Sequence, residues 1–375
     1  MPKIKIAVLG AGMVGRAIAA DLSKKHSVTS FDINEDNLNL LHESNSKIKT
    51  ERKDLSKFEE YPEMLKPYKL VVNAVPGFIG YKSLESIINA KKDCVDISFF
   101  PENALDLDEL AKKKKVTVIT DCGVAPGMSN LILGRIDAER KVDSFECYVG
   151  GIPRYPEPPF YYKAPFSPAD VIQEYLRPCK IKENGNILIK EALSERQFIP
   201  FKSVHGVLEA FNTDGLRSLI YTMAHIPEMK EKTLRYKGHV DIIIALRDSG
   251  LLSDVPVSHK GKKIIPLELT SQLLIDQWKL GPNEEEMTIM KVIVYAEGRE
   301  IVWDLVDYYD YETKTSSMAR STGYTCNAAV ELVLSQRFSD KGVSPPEIIG
   351  KSKESFDFIL NYLKERNVNW KLSER

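Results

Sequence analysis

Three glycines close to the amino terminus have the spacing with which many proteins hold a dinucleotide. Gly10, Gly12 and Gly15 stand in GAGMVG, which fits the pattern GxGxxG. The first glycine of this pattern permits a tight turn, the second lets the backbone approach a diphosphate, and the third allows a helix to pack closely on a strand. The pattern also arises by chance, as a plain turn between a strand and a helix, so its context has to decide.

The residues on either side of the motif favour the dinucleotide. An apolar run at residues 4–9 precedes it, and an amphipathic stretch at residues 13–24 follows it. This order predicts a strand, a glycine turn and a helix. The free N–H groups at the start of that helix would face the diphosphate.

Asp32 gives the cofactor a predicted identity. It ends the next apolar run, 22 residues after Gly10, where a carboxylate accepts hydrogen bonds from the ribose hydroxyls. Residues 33–35 follow as Ile-Asn-Glu, without an arginine or lysine to neutralise a 2′-phosphate. Asp32 and Glu35 would repel such a phosphate, so the sequence predicts NAD rather than NADP.

Further cofactor contacts are expected where other strands of the same sheet end. Val75 and Pro76 stand at the end of the strand predicted at residues 70–75, where backbone groups commonly contact the nicotinamide ribose. Asp54 follows the third strand and can reach the adenine, although a cap on a helix at residues 57–64 is an equally good interpretation. The predicted cofactor contacts are Gly10, Ala11, Gly12, Met13, Val14, Gly15, Asp32, Ile33, Asp54, Leu55, Ala74, Val75, Pro76, Phe78 and Ser98.

Two carboxylates could handle a proton beside such a cofactor. Asp96 and Asp121 each follow an apolar run, at the sheet edge where ligands gather. Either could act as a base, although carboxylates at strand ends also cap helices. His225 and His239 are candidate proton relays, for which a structural role is the simpler interpretation. Cys122 is interpreted as a packing residue.

Short apolar runs alternate with amphipathic stretches up to about Ala125. Such alternation predicts a parallel sheet covered by helices on both faces. The fold class is therefore α/β, with a Rossmann, doubly wound parallel sheet. The predicted strands are residues 4–9, 27–31, 70–75, 94–97 and 116–120, and the predicted helices are residues 13–24, 35–42, 81–90 and 107–113.

The pattern changes near Ser144 to segments that favour an α+β domain. Residues 145–149, 240–246, 288–295 and 301–308 are strand-like, and residues 296–300 predict a hairpin turn. Helices are predicted at residues 317–336 and 355–364, packing back on the first domain. The predicted division is a cofactor domain at 1–125, an inserted α+β substrate and dimerisation domain at 126–315, and returning helices at 316–375.

Composition excludes several classes of function. The chain has 375 residues, and 52 Lys and Arg nearly balance 53 Asp and Glu, giving a net charge of −1. It thus has no basic field for a nucleic acid or an anionic membrane. The five cysteines and six histidines are scattered without metal-ligand spacing, so no metal site is expected. With no apolar run long enough to cross a bilayer, we expect a cytoplasmic protein.

Several longer motifs resemble one family. They are DCGVAPGMSN (121–130), YVGGIPRYPEPPFYYK (148–163), FNTDGLRSL (211–219) and KTLRYKGH (232–239), together with VPGF, VDISF and MARSTGY. In this order they resemble the saccharopine dehydrogenase-like family, and within it the L-lysine 6-dehydrogenases. The resemblance implies a Rossmann domain interrupted by a substrate domain, often in a homodimer, and oxidation at a carbon that bears an amine.

This chemistry needs a base, a path to the nicotinamide, and groups that hold the amino-acid end of a small substrate. Arg217 is the first candidate for a carboxylate clamp, since a guanidinium binds a carboxylate at two points. The matching arginine of saccharopine reductases holds a substrate carboxylate. Arg235 is a second candidate, and either arginine could instead form a structural ion pair. The predicted substrate contacts are Arg217, Arg235, Asn212, Asp214, Phe99 and Tyr148, and Phe160, Tyr161 and Tyr162 could extend the aromatic surface or pack in the core.

Oxidation of L-lysine at its ε-carbon is the first functional hypothesis. A saccharopine dehydrogenase, or a related reductase that joins two substrates, is the alternative within the class. Saccharopine carries three carboxylates, and Arg154, Lys163 and Arg177 could supply the additional cations. A dinucleotide sensor without turnover is the hypothesis from another class. Asp121, Asn212, Asp214 and Arg217 all favour an enzyme.

Overall fold

A computed structural model describes residues 3–201, 204, 206–281 and 284–375 of the chain. Strands and helices alternate up to residue 119, as the sequence pattern predicts. Two 3-10 helices, Phe58–Glu60 and Ala104–Leu107, also occur in this segment. Its other elements are β1 (Lys5–Leu9), α1 (Met13–Leu22), β2 (Ser27–Asp32), α2 (Glu35–Ser44), β3 (Lys49–Arg52), α3 (Tyr61–Leu65), β4 (Leu70–Asn73), α4 (Gly77–Asn89), β5 (Asp93–Asp96), α5 (Asp108–Lys114) and β6 (Thr117–Ile119).

These strands form a parallel sheet with the order β3-β2-β1-β4-β5-β6. Both faces are covered, because alternate residues of β1 enter different cores: Ile6 and Val8 on one side, Ala7 and Leu9 on the other. The strand order reverses between β1 and β4. A crevice for a ligand is expected at the carboxyl ends of these two strands.

A second segment, beyond residue 119, builds a mixed sheet. The strands Val142–Pro153 and Glu228–Tyr236 form the central pair of this sheet and are parallel, and its other pairs are antiparallel. The elements are α6 (Met128–Asp137), β7 (Val142–Pro153), α7 (Pro168–Leu176), β8 (Cys179–Glu183), β9 (Asn186–Lys190), β10 (Gln197–Ile199), β11 (Leu208–Asn212), α8 (Leu219–Thr222), β12 (Glu228–Tyr236), α9 (His239–Asp248), β13 (Val257–His259), β14 (Lys262–Ile264), α10 (Pro266–Trp278), β15 (Glu286–Ala296) and β16 (Arg299–Tyr308).

The last part of the chain returns to both sheets. Its elements are α11 (Ser317–Leu334), β17 (Gly342–Ser344), α12 (Pro346–Gly350), α13 (Lys353–Lys364) and β18 (Trp370–Glu374). Helix α11 packs on α1. Strand β17 extends the parallel sheet by pairing with β6, whereas β18 pairs with β16 in the mixed sheet.

One hydrophobic core connects the two sheets. It contains Ile6 of β1, Leu131 of α6 and Val292 of β15, together with Cys326 of α11 and Leu363 of α13. These three helices, α6, α11 and α13, thus form a layer between the parallel sheet and the mixed sheet. No helix in the described ranges is long and apolar enough to cross a membrane.

The α/β fold and the hairpin at residues 296–300 are confirmed, but the strand predicted at residues 240–246 is wrong. Residues 240–246 belong to helix α9, in which Val240 and Ile243 are buried and Asp241 is exposed. This spacing is helical, and the run of β-branched residues concealed it. The helix predicted at 57–64 is present as a 3-10 turn, Phe58–Glu60, that continues directly into the short α3. The domain boundaries at 125 and 315 stay predictions.

Candidate active site

The turn after β1 places its three glycines in different surroundings. Gly10 has a φ of 103°, and a Cβ there would lie 2.3 Å from the carbonyl oxygen of Ala74. A Cβ on Gly15 would lie 2.1 Å from the carbonyl oxygen of Gly10. A Cβ on Gly12 would have no atom within 4 Å, and no side chain caps α1 there. The turn is therefore packed closely against β4 and open at Gly12, which fits a diphosphate.

Asp32 lies beside this turn at the carboxyl end of β2. Its Oδ2 accepts a hydrogen bond from the N–H of Ala11 at 2.7 Å, and its Oδ1 accepts one from the N–H of Asn34 at 2.8 Å. These bonds fix the carboxylate at the edge of the crevice, where it could meet the ribose of a bound dinucleotide.

Two arginines near Asp32 escaped the sequence analysis. Arg52 is the register partner of Asp32 on β3, and its Nε donates to the carbonyl oxygen of Ile33 at 3.2 Å. Arg16, in α1, donates from Nη1 to the carbonyl oxygen of Ala11 at 3.0 Å. Burial lowers the pKa of Arg16, and the nearby carboxylate of Asp32 opposes that shift. The inference that no cation lies near Asp32 is therefore wrong, because strand pairing brings Arg52 opposite it.

The other predicted cofactor residues lie at or after the carboxyl ends of β2, β3 and β4 or at the start of α1, except Ser98, which follows β5. Pro76 caps α4, and the following Phe78 is 83% exposed. Asp54 accepts hydrogen bonds from the N–H and hydroxyl of Ser56, at 3.0 and 2.6 Å. It therefore stabilises a local turn and does not cap α3. The remaining members of the group are Met13, Val14, Ile33, Leu55, Ala74 and Val75.

Asp96 is fully buried at the carboxyl end of β5. Its Oδ1 accepts hydrogen bonds from Asn73 Nδ2 at 2.9 Å and from the N–H and the hydroxyl of Ser98. Its Oδ2 has no partner within the described structure. Burial raises the pKa of Asp96 to about 7, the bonds from Ser98 oppose this shift, and the charge of Asp121 adds to it. Such a carboxyl group can exchange a proton near neutral pH.

Asp121 forms a buried ion pair with Arg217. The Nε of Arg217 donates to Asp121 Oδ1 at 2.9 Å, and its Nη1 donates to the carbonyl oxygen of Phe100. Asp121 and Arg217 both have positive φ, at 52° and 49°. Arg217 thus joins the loop after β6 to the segment after β5.

The ring of Phe99 contacts two guanidinium groups. The Cζ atoms of Arg217 and Arg177 lie 4.9 and 5.3 Å from the ring centroid. Arg177 directly follows α7, and its Nη1 is buried without a hydrogen-bond partner among the described residues. Burial lowers the pKa of Arg177, and the carboxylate of Asp214 opposes that shift. The structure therefore brings together three of the predicted substrate contacts, Phe99, Asp214 and Arg217. Arg177 lies in the same group.

Helix α7 also contacts the start of α4. The carboxylate of Asp170 accepts a hydrogen bond from the N–H of Gly77, and burial raises the pKa of Asp170. A Cβ on Gly77 would lie 2.3 Å from the carbonyl oxygen of Phe99. Glycine is therefore required where these segments meet beside the crevice.

Arg235 lies inside the second segment. Its Nε donates to the hydroxyl of Tyr175 at 2.9 Å, its Cζ lies 4.5 Å from the ring centroid of Tyr162, and its Nη2 is 3.7 Å from Glu174 Oε2. Burial raises the pKa of Glu174 to about 7, and Arg235 opposes this shift. His239 contacts the same Tyr175 hydroxyl at 3.0 Å. Burial lowers its pKa to about 3, which keeps it neutral.

Four further candidate residues have structural contacts of their own. Tyr148 donates its hydroxyl to Glu146 at 2.6 Å and accepts from Gln197 at 2.8 Å, on the sheet face opposite Cys147. Asn212 is buried and donates to Ser194 Oγ at 3.2 Å. His225 pairs at the surface with Asp137, and Cys122 is buried with its pKa raised by burial.

Two family descriptions match the chain. "Saccharopine dehydrogenase NADP binding domain" matches residues 6–119, and "Saccharopine dehydrogenase C-terminal domain" matches residues 123–368. Asp121 lies in the short gap between the two matched ranges.

Individual relatives agree with this match. The mitochondrial alpha-aminoadipic semialdehyde synthase of Rattus norvegicus is 21% identical over 98% of this chain and 47% of its own length. The chain thus spans about half of that protein. The saccharopine dehydrogenase (NADP(+), L-glutamate-forming) of Pyricularia oryzae is 22% identical over 80% of this chain and 82% of its own.

A solved structure shares the fold over the whole chain. It is the apo histidine-tagged saccharopine dehydrogenase (L-Glu forming) from Saccharomyces cerevisiae, with a TM-score of 0.78 at 20% identity. The likeness covers 99% of this chain and 100% of the yeast chain. Since the C-terminal description alone matches well over half of the residues, the chain belongs to the saccharopine dehydrogenase family.

Proposed function

We propose that the protein is an NAD-dependent dehydrogenase that oxidises L-lysine at its ε-carbon. The observation that carries this proposal is the position of Asp96. It combines a pKa of about 7 with an Oδ2 that has no hydrogen-bond partner among the described residues, at the end of β5, where the charge of Asp121 acts on it. Oxidation at an amine-bearing carbon requires an acceptor for the ammonium proton, and we assign this role to Asp96.

The proposed reaction needs only two co-reactants, NAD and water, to balance. The ε-ammonium gives one proton to the carboxylate of Asp96. Bound NAD supplies the acceptor for the hydride that leaves the ε-carbon. The amine lone pair then forms the C=N bond of an iminium ion. Water adds to that ion, ammonium leaves, and the 6-semialdehyde closes a ring with its α-amine and releases water.

The residues of the chain position these steps. The turn at Gly12 would hold the diphosphate of the cofactor, and the carboxylate of Asp32 would hold the ribose of its adenosine. Asp121, fixed by Arg217, would stabilise the positive charge on the reacting nitrogen. Phe99 would line the aliphatic chain of the substrate and exclude water.

Saccharopine is the second candidate substrate. Arg177, Arg217 and Arg235 all lie within one region of the second segment, close to Phe99 or Glu174. A substrate with three carboxylates would use more cations than lysine does. The printed names of relatives also include saccharopine dehydrogenases.

The cofactor preference rests on two opposing groups. Asp32 supports NAD because it would repel a 2′-phosphate. Arg52 and Arg16 beside it could pair with that phosphate, and relatives carry NADP in their names. We propose NAD because Asp32 is fixed by two backbone N–H groups at the ribose position. Equal values of kcat/KM with NAD and NADP would contradict this assignment.

The substrate proposal is tested by following NADH absorbance with L-lysine, saccharopine and a panel of other amino acids. Turnover of lysine is expected. Turnover of saccharopine alone would establish the second candidate. Dinucleotide binding without any turnover would favour a sensor. We further propose a homodimer in the cytoplasm, which sedimentation and cell fractionation would test.

A further inference from the structure

Arg217 is already neutralised by the protein. Its Nε bonds to the carboxylate of Asp121 and its Nη1 bonds to the carbonyl oxygen of Phe100, and the pair is almost completely buried. A substrate carboxylate on Arg217 would compete with the charge of Asp121. Arg217 is therefore better suited to positioning Asp121 than to receiving a second carboxylate.

Arg177 faces the same ring with a different set of contacts. Its Cζ lies 5.3 Å from the Phe99 centroid, and it forms no ion pair within the described ranges. Its buried Nη1 has no hydrogen-bond partner in those ranges. A buried guanidinium donor without a partner is costly, and a carboxylate is the acceptor that matches its geometry.

The charges around Arg177 favour a ligand that carries a cationic group beside its carboxylate. Asp214, Glu174 and Asp170 are the acids that act on its guanidinium, and Arg217 is the nearby cation. Among the described residues, Glu174 forms a single ion pair, the long one with Arg235 at 3.7 Å. A ligand with a carboxylate alone would meet these acids as like charges, whereas an α-ammonium beside that carboxylate would pair with one of them.

We propose that Arg177 receives the α-carboxylate of the substrate and that Glu174 or Asp214 accepts from its α-ammonium. This arrangement makes the site specific for an α-amino-acid head group. The proposal rests on the proposed function only in requiring an amino-acid substrate. It applies to lysine and saccharopine alike, because both carry this head group.

The test compares L-lysine with 1,5-diaminopentane, which has the same reacting amine but no carboxylate. In the full-length protein with saturating NAD, Arg177→Leu should lower kcat/KM for lysine by about 100-fold, mostly through KM. The same variant should leave kcat/KM for the diamine nearly unchanged. Arg177→Lys should recover part of the loss for lysine. An equal loss on both substrates, or no loss on lysine, would overturn the proposal.

Arg337→Leu is the matched control. Arg337 also stacks on a phenylalanine, with its Cζ 5.2 Å from the Phe358 ring, but it pairs with Glu354 at the surface. Loss of stacking alone should therefore leave both substrates unaffected in this variant.

Calorimetric titration separates this proposal from the proposed function. If the protein oxidises neither L-lysine nor saccharopine, each of these compounds is titrated into the wild-type protein in the presence of NADH. Binding that Arg177→Leu weakens by about 100-fold would support the head-group site even though lysine oxidation had failed. Binding that survives in Arg177→Leu, or no binding to the wild-type protein, would overturn it.

Discussion

Asp96 gives the proposed activity a direction of pH dependence. Its carboxyl group must be ionised to accept a proton, and burial raises its pKa to about 7. We therefore expect kcat/KM for lysine to increase as the pH increases through about 7. In Asp96→Asn the activity should fall and this limb of the pH profile should disappear. Persistence of the limb in the variant would show that another group controls it.

Arg217→Leu tests the positioning of Asp121. Removing the guanidinium leaves the carboxylate of Asp121 buried and unpaired, which costs about 3 kcal/mol of stability. We expect kcat to fall much more than KM rises, because Asp121 loses its fixed position. Steady-state kinetics and urea unfolding would measure both effects. A large increase in KM with unchanged kcat would instead support the direct carboxylate clamp that the family resemblance implies.

At the scale of elements, different glycines of the turn after β1 serve packing and ligand binding. Gly10→Ala places a Cβ against the carbonyl of Ala74 at a positive φ, so we expect a clear loss of thermal stability. Gly12→Ala places its Cβ in open space, so the melting temperature should hardly change. The methyl group of Gly12→Ala should nevertheless weaken NAD binding, because it occupies the approach to the diphosphate. Thermal melting and NAD titration of both variants would measure the contrast.

Two outcomes would contradict this interpretation of the turn. Equal NAD affinity in Gly12→Ala and the wild-type protein would mean that the diphosphate binds elsewhere. A stable Gly10→Ala would mean that the backbone can move away from Ala74.

The elements near the amino terminus were predictable because their signals are local. Gly10 and Asp32 act within one strand–turn–helix–strand unit, and short-range patterns locate such units. Arg52 was not found because it lies opposite Asp32 only through the pairing of β2 and β3. Arg177 was named as an additional cation, but its contact with Phe99 depends on how α7 packs against the first segment. The strand prediction for residues 240–246 was wrong because the β-branched composition, which is typical of a strand, was given more weight than the helical spacing of the buried residues.

At the scale of the whole molecule, Glu347 connects the returning segment to the candidate site. Its carboxylate accepts from Asn130 Nδ2 at 3.1 Å and from the hydroxyl of Thr222. Asn130 follows the Asp121 loop and also contacts Ser218, next to Arg217, at 3.4 Å. Residues of α6, α8 and α12 are thereby joined in one buried network.

Glu347→Ala should therefore affect both stability and catalysis. The variant leaves Asn130 and Thr222 without their acceptor, at a cost of about 2 to 3 kcal/mol. A lower kcat is also expected, since the Asp121 and Arg217 loops lose a common contact. Unfolding curves and lysine kinetics would measure both. The control is Glu354→Ala, which removes an exposed pair with Arg337 and should change neither quantity.

The position of β17 has a consequence for protein synthesis. Gly342–Ser344 pair with Thr117–Ile119, so one edge of the parallel sheet stays open until translation has passed residue 344. Helix α11, which packs on α1, also leaves the ribosome late. A nascent chain that carries only the cofactor segment would expose Ile6, Val8 and the edge of β6 to other chains. Folding of that segment is therefore expected to finish after translation, which makes early release or truncation a route to aggregation.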